Sequence, residues 1–229
     1  MLEYTPVFIH IPCSGGRSLR RIFEKTISNN IYIHHINPGL WNKDVPKDRI
    51  IRLWIYRDVK KMLKTDKITR IIPPVPITEL KLINNKSLKY FVILRNPVYR
   101  VLSEIKYHIN NIITDSRGWN IICKSILIAF TNNLDIYFTP INNNDLDLVK
   151  KYIIKNNVMI GFTNNFNNIL TKLSSHLETD IFLDYINKKN NINSNSKYDN
   201  NNIELIKRNN KYDILLYDWA IKKEYTFNQ

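Results

Sequence analysis

FIHIPCSGGRSLRRIF, residues 8–23, is the stretch whose reading decides the fold. Val7 to Ile11 is an apolar run closed by Pro12, which predicts a buried strand. A turn containing Gly15 and Gly16 follows. Leu19, Ile22, Phe23 and Ile27 then recur at helical spacing, with Arg17, Arg20, Arg21 and Lys25 on the polar side. A strand, a glycine turn and a helix starting near Arg17 gather backbone N–H groups around one point. Glycine lets the backbone come close to an anion, and the helix N-terminus adds positive potential. Ser14 and Ser18 add hydroxyl donors. A tight turn without any ligand has the same local pattern. A nucleoside-triphosphate loop needs G-x-x-x-x-G-K-S/T, and the chain contains no Gly-Lys-Ser/Thr, so that motif is excluded.

Further along, KYFVILRNPVYRVLSEI (89–105) repeats the strand-to-helix theme. Tyr90 to Leu94 predicts a strand, Asn96 is a good N-cap and Pro97 suits the first helical position. Val98, Val101, Leu102 and Ile105 form the apolar face of the helix that follows. Arg95 falls where the strand ends, at the carboxyl edge where α/β sheets bind nucleotides. Ser103 lies two turns into the helix. An Arg fork and a Ser hydroxyl suit a phosphate, although an unrelated surface Arg and helix Ser would show the same spacing.

The remaining pattern alternates strands and helices. Ile50–Tyr56 and Val158–Phe162 predict strands. Trp119–Leu134, Asp145–Ile154, Phe166–Leu173 and Tyr212–Trp219 predict helices. The expectation is an α/β fold with a mainly parallel central sheet flanked by helices, one domain over 1–229. The Asn-, Lys- and Ser-rich stretch 187–203 is read as a flexible loop within it.

Composition narrows the function classes. With 44% hydrophobic residues over 229, the chain holds enough apolar material for a sizeable core. Its apolar runs are too short to span a bilayer, and no signal peptide is visible, so a soluble, cytoplasmic protein is expected. Two cysteines, Cys13 and Cys123, give no disulfide framework and fit a reducing compartment. No Cys/His cluster has zinc spacing, so no metal is expected. The net charge of +14 suits a polyanionic partner, although heavy Asn, Ile and Lys usage is also what an AT-rich genome produces. Nucleic acid satisfies the charge, but no RNA- or DNA-binding motif accompanies it, so no specific nucleic-acid partner is expected.

Taken together, the two strand-to-helix segments resemble the carbohydrate sulfotransferases that use 3'-phosphoadenosine 5'-phosphosulfate (PAPS). FIHIPCSGGRSL is similar to their 5'-phosphosulfate loop, F-x-H-I-P-K-S/T-G-G-S/T-S. LRNPVYRVLSEI is similar to their 3'-phosphate motif, R-D/N-P-x-x-R-x-x-S. NNLDIYF (132–138), VMIGFTNNFNNIL (158–170) and YDILLYDWA (212–220) resemble further segments in the same order. The resemblance implies a P-loop-NTPase-like sulfotransferase fold, PAPS as co-substrate, and sulfuryl transfer to a hydroxyl of a carbohydrate or similar acceptor. Carried over by position, Cys13, Ser14, Gly15, Gly16, Arg17 and Ser18 would face the 5' side, and Arg95 and Ser103 the 3'-phosphate.

Two departures stand out. The family's loop lysine is Cys13 here, and a thiol supplies no positive charge; Arg17 is the candidate to replace it, with Arg20 and Arg21 behind. Relatives often carry a Gly-His pair on the strand after the first helix, where RLWIYRD (52–58) has Trp54. His34 and His35 in IYIHHINPG, read as a polar loop, are the nearest candidates for the acceptor's base, ahead of His108 and Glu104. His10 matches a frequent family residue and is read as structural. These departures keep a second expectation open: a catalytically degenerate homologue that still binds PAPS or its desulfated product, PAP.

Overall fold

The computed structural model describes residues 4–16, 18, 19, 22, 33–36, 50–53, 87–108, 119–131, 133–176 and 200–227. Among the described residues, five strands form one sheet: β1 (Tyr4–Ile9), β2 (Ile33–Ile36), β3 (Ile50–Leu53), β4 (Ser87–Leu94) and β5 (Met159–Phe162). Their order is β2-β3-β1-β4-β5, and every neighbouring pair is parallel. Among the described residues, six helices have full bounds: α1 (Pro97–His108), α2 (Ile121–Thr131), α3 (Asn143–Lys155), α4 (Phe166–His176), α5 (Asn200–Asn209) and α6 (Lys211–Phe227). A short 3-10 turn, Leu134–Tyr137, precedes α3. The α/β expectation holds.

The two central strands are apolar on both faces, as a parallel sheet covered on both sides requires. Val7, Ile9, Tyr90, Val92 and Leu94 point to one side, where they meet buried residues of α2, α3 and α6. Phe8, Phe91 and Ile93 point to the other, against Leu19, Ile22, Ile169, Leu170 and Leu173. The period-2 alternation of strand side chains separates the two cores. Phe8 stacks on Phe91 with ring centroids 5.0 Å apart. On the α4 side, Gly161 of β5 lies so close to Ile169 that a Cβ built there would stand 2.8 Å from Cγ1.

Helix ends follow local chemistry. Asn142 and Asp145 form a reciprocal capping box that starts α3. Asn120 and Asp213 cap each other's helices. The Asp213 carboxylate accepts the N–H groups of Ile122 and Cys123 at 2.9 Å each. The Asn120 side-chain oxygen accepts those of Tyr212 and Asp213 at 3.1 and 3.2 Å. This pair locks the start of α2 to the start of α6.

Several boundaries differ from the sequence reading. Asn120 takes a left-handed φ of 53°, so α2 begins after it, and the helix expected over 119–134 is shorter, with the 3-10 turn beyond its end. Residues 200–203, read as part of an Asn-rich loop, belong to α5. Ile206 on that helix is fully buried against Val101 and Trp119. Polar composition hid this short amphipathic face. His34 and His35, read as loop residues, lie on β2, where flanking isoleucines and pairing with β3 make a strand. Residues 187–199, Trp54 and the rest of the strand expected after Leu53 lie outside the described residues, as do Arg17, Arg20 and Arg21.

Candidate functional site

β1 sits mid-sheet, with β3 on one side and β4 on the other. From β1 the chain reaches β2 and β3 on one side, and from β4 it moves on to β5 on the other. The crevice beyond the carboxyl ends of β1 and β4 is therefore the topological switch point, where open α/β sheets bind ligands. Both segments singled out in the sequence open there.

The first is His10–Gly16. Ser14 N–H donates to the Ile11 carbonyl at 3.3 Å, closing a turn straight after the strand. Gly16, Ser18, Leu19 and Ile22 are helical, and Leu19 N–H donates to the Gly15 carbonyl at 3.1 Å. The first amides of a helix have no acceptor within it and are available to cap it or to bind an anion. Gly15 has φ +79°, and a Cβ there would lie 3.2 Å from the Phe166 ring and 3.5 Å from Thr163 Cγ2. The backbone conformation and this close packing both call for glycine. Ser14 is buried, and its hydroxyl has no hydrogen-bond partner among the described residues.

The second segment closes on the first. Asn96 caps α1 as expected, its side-chain oxygen accepting Val98 N–H at 3.1 Å and Tyr99 N–H at 3.4 Å. Arg95 Nη1 donates to the Cys13 carbonyl at 3.1 Å across 82 residues of sequence. Cys13 itself has φ +61°, the only residue outside Gly and Asn with positive φ among the described residues. Such a conformation costs an L-residue about 1–2 kcal/mol and clusters at functional sites.

The electrostatics are set by burial. Burial pushes the Cys13 thiol above its ordinary value, and Glu104 pushes the same way. Arg100, Ser103 and Arg95 only partly oppose them, so the thiol stays neutral at pH 7. Beneath this contact, Arg100 is completely buried and pairs with Glu104 at 2.8 Å. Arg100 Nε and Nη2 and Glu104 Oε1 have no hydrogen-bond partner among the described residues. Burial likewise raises the Asp213 carboxyl, with Arg100 and the N–H groups of Cys123 and Ile122 holding it down.

The structure thus brings Cys13, Ser14, Gly15, Gly16, Arg95 and Ser103 to one corner. Ser18 is exposed on the first helical turn. Arg17 lies outside the described residues. His34 and His35 are level with Val7 and Phe8 in the strand register, two strands from β1. At the usual strand spacing that is about 10 Å to the side, and short of the carboxyl end where the loop begins. Glu104, another candidate base, is held by Arg100. His10 is buried edge-on against Phe8, which fits a structural role. The sequence reading passed over Arg100, although it is the second arginine of the R-D/N-P-x-x-R-x-x-S motif. It also passed over Thr163 and Phe166, whose proximity to Gly15 no local pattern announces.

Among the described residues no three His, Cys, Asp or Glu side chains group as metal ligands, and no helix is long and apolar enough to cross a membrane. No protein-family model matches the chain, and no curated protein matches it.

Proposed function

We propose that this protein binds PAPS at the switch point of a P-loop-NTPase-like sulfotransferase fold and transfers its sulfuryl group to a hydroxyl of a carbohydrate or similar acceptor. The observation that carries the reading is the 3.1 Å bond from Arg95 to the Cys13 carbonyl, which joins the two anion-binding segments into one crevice. The residues suit the ligand. The left-handed Gly15 shapes the turn, the buried Ser14 hydroxyl has no hydrogen-bond partner among the described residues, and a helix begins at Gly16, an end that suits an anion. On this reading, Ser14, Gly15, Gly16 and Ser18 hold the 5' side, while Arg95 and Ser103 hold the 3'-phosphate.

In the transfer, the acceptor oxygen forms a bond to sulfur while the bond from sulfur to the 5'-phosphate oxygen breaks. PAP leaves with the electron pair, and the acceptor proton passes to a base. As in phosphoryl transfer, the protein's work is positioning and charge stabilisation. Arg17 is the candidate for the charge that a loop lysine would supply. Incubation with sulfur-labelled PAPS and a panel of hydroxyl-bearing glycans should label an acceptor, and Arg95→Ala should abolish the labelling. A purified protein that binds neither PAPS nor PAP sinks the proposal.

A second reading, a homologue that binds PAPS or PAP without turnover, is favoured by the neutral thiol of Cys13 in the lysine's place. A Cys13→Lys variant that gains transfer over a silent parent supports it. Turnover by the parent ends it.

A further inference from the structure

A third segment reaches the crevice, from the end of β5. Phe162, the last residue of β5, is level with Leu94 of β4, and Thr163 continues the ladder by donating its N–H to the Leu94 carbonyl at 2.9 Å. Thr163 thus stands beside Arg95 in strand register. Its side chain meets the first loop instead: a Cβ on Gly15 would lie 3.5 Å from Thr163 Cγ2, ordinary van der Waals contact. The methyl and the hydroxyl of threonine branch from one Cβ, so a methyl against Gly15 keeps the hydroxyl at the same corner. The position is held from below. The Asn165 side chain accepts Asn168 N–H at 3.2 Å at the start of α4, and a Cβ on Gly15 would lie 3.2 Å from the Phe166 ring. Among the described residues the Thr163 hydroxyl makes no hydrogen bond, and the residue is only half-buried, within reach of a ligand. Immediately before Gly15, the buried Ser14 hydroxyl also has no hydrogen-bond partner among the described residues. Two uncommitted hydroxyls therefore flank the Gly15 turn.

We propose that Thr163 is a further binding residue of this site, its hydroxyl donating to the 5' anion of the nucleotide across the Gly15 turn. The inference rests on the nucleotide reading above and deepens it, because the neighbouring ends of β1, β4 and β5 then share one ligand. A hydroxyl bonded to an anionic oxygen is a charge-assisted contact, stronger than one between neutral groups. The side-chain contact with Gly15 assigns Thr163 to the 5' end, although its backbone lies beside Arg95.

The test is calorimetric titration of the wild type, Thr163→Val and Thr163→Ser with adenosine 3',5'-bisphosphate and with adenosine 3'-monophosphate, which lacks the 5' anion. Valine keeps the branched shape and the methyl against Gly15 but loses the hydroxyl; serine keeps the hydroxyl and loses the methyl. At a half-buried strand end neither change disturbs the core, so both variants report on binding. Thr163→Val should weaken the bisphosphate about 3- to 10-fold, the effect of one lost hydrogen bond, and shift the 3'-monophosphate by less than about 2-fold. Thr163→Ser should retain the wild-type preference for the bisphosphate. An unchanged bisphosphate affinity in Thr163→Val, an equal loss for both nucleotides, or a loss in Thr163→Ser as large as in Thr163→Val overturns the role of the hydroxyl and leaves the nucleotide site standing. A wild type that binds neither nucleotide overturns the nucleotide reading and this inference with it.

Discussion

Arg100→Met is the perturbation whose consequence the structure defines most sharply. The Arg100 and Glu104 side chains are 0% and 1% exposed and meet at 2.8 Å. Removing the guanidinium leaves the Glu104 carboxylate buried without its cation, a change that costs about 3–5 kcal/mol. Asp213, fully buried and within the field of the same arginine, loses stabilisation too, which places the effect towards the upper end. For a domain of this size the midpoint of thermal unfolding should fall by about 6–20 °C. Among the described residues the pair is also incompletely satisfied, since Arg100 Nε and Nη2 and Glu104 Oε1 have no hydrogen-bond partner there. Replacing both members, as Arg100→Met with Glu104→Leu, should therefore recover most of the loss, all but the share that Asp213 loses with the guanidinium. Urea denaturation followed by circular dichroism on the wild type, both single variants and the double variant closes the cycle. Strictly additive single effects would refute the reasoning, because they would mean that the two charges do not depend on one another.

Three other outcomes follow from the packing and the charges. Gly161→Ala should cost about 1–3 kcal/mol in the same denaturation assay, because its Cβ would stand 2.8 Å from Cγ1 of the buried Ile169. Asp213→Ala removes the carboxylate that accepts two backbone N–H groups at the start of α2, and should cost about 2–4 kcal/mol. Alkylation of Cys13 by iodoacetamide should be slower at pH 8 than that of a free cysteine. Because burial holds the proton on the thiol, the half-maximal rate should fall above pH about 8.5, the midpoint of an ordinary thiol.

Much of the architecture could be read from patterns that act locally. Apolar runs ending at Pro12 and Arg95 marked the two central strands because side chains on both faces of a parallel strand are buried. Asn96-Pro97 marked a helix start because a cap and a fixed φ are encoded in adjacent residues. Gly15 was identifiable because its turn needs positive φ. What was missed depends on distant partners. The burial of Arg100 is imposed by Glu104 and the elements packed over them, and the helix start at Asn120 by the mutual capping with α6. The α5 helix was obscured because asparagines outnumber the few apolar residues that dock it. His34 and His35 looked like a polar loop because only pairing with β3 makes their segment a strand. Cys13 carried no signal of its left-handed backbone or of its contact with Arg95.

Titration calorimetry with adenosine 3',5'-bisphosphate on the wild type and Arg95→Ala tests the central claim most directly. A single crevice at the ends of β1 and β4 predicts one site per chain, with affinity about 10- to 100-fold weaker in the variant through loss of a charge-assisted contact. No heat of binding to the wild type, or equal affinity in both proteins, would contradict it.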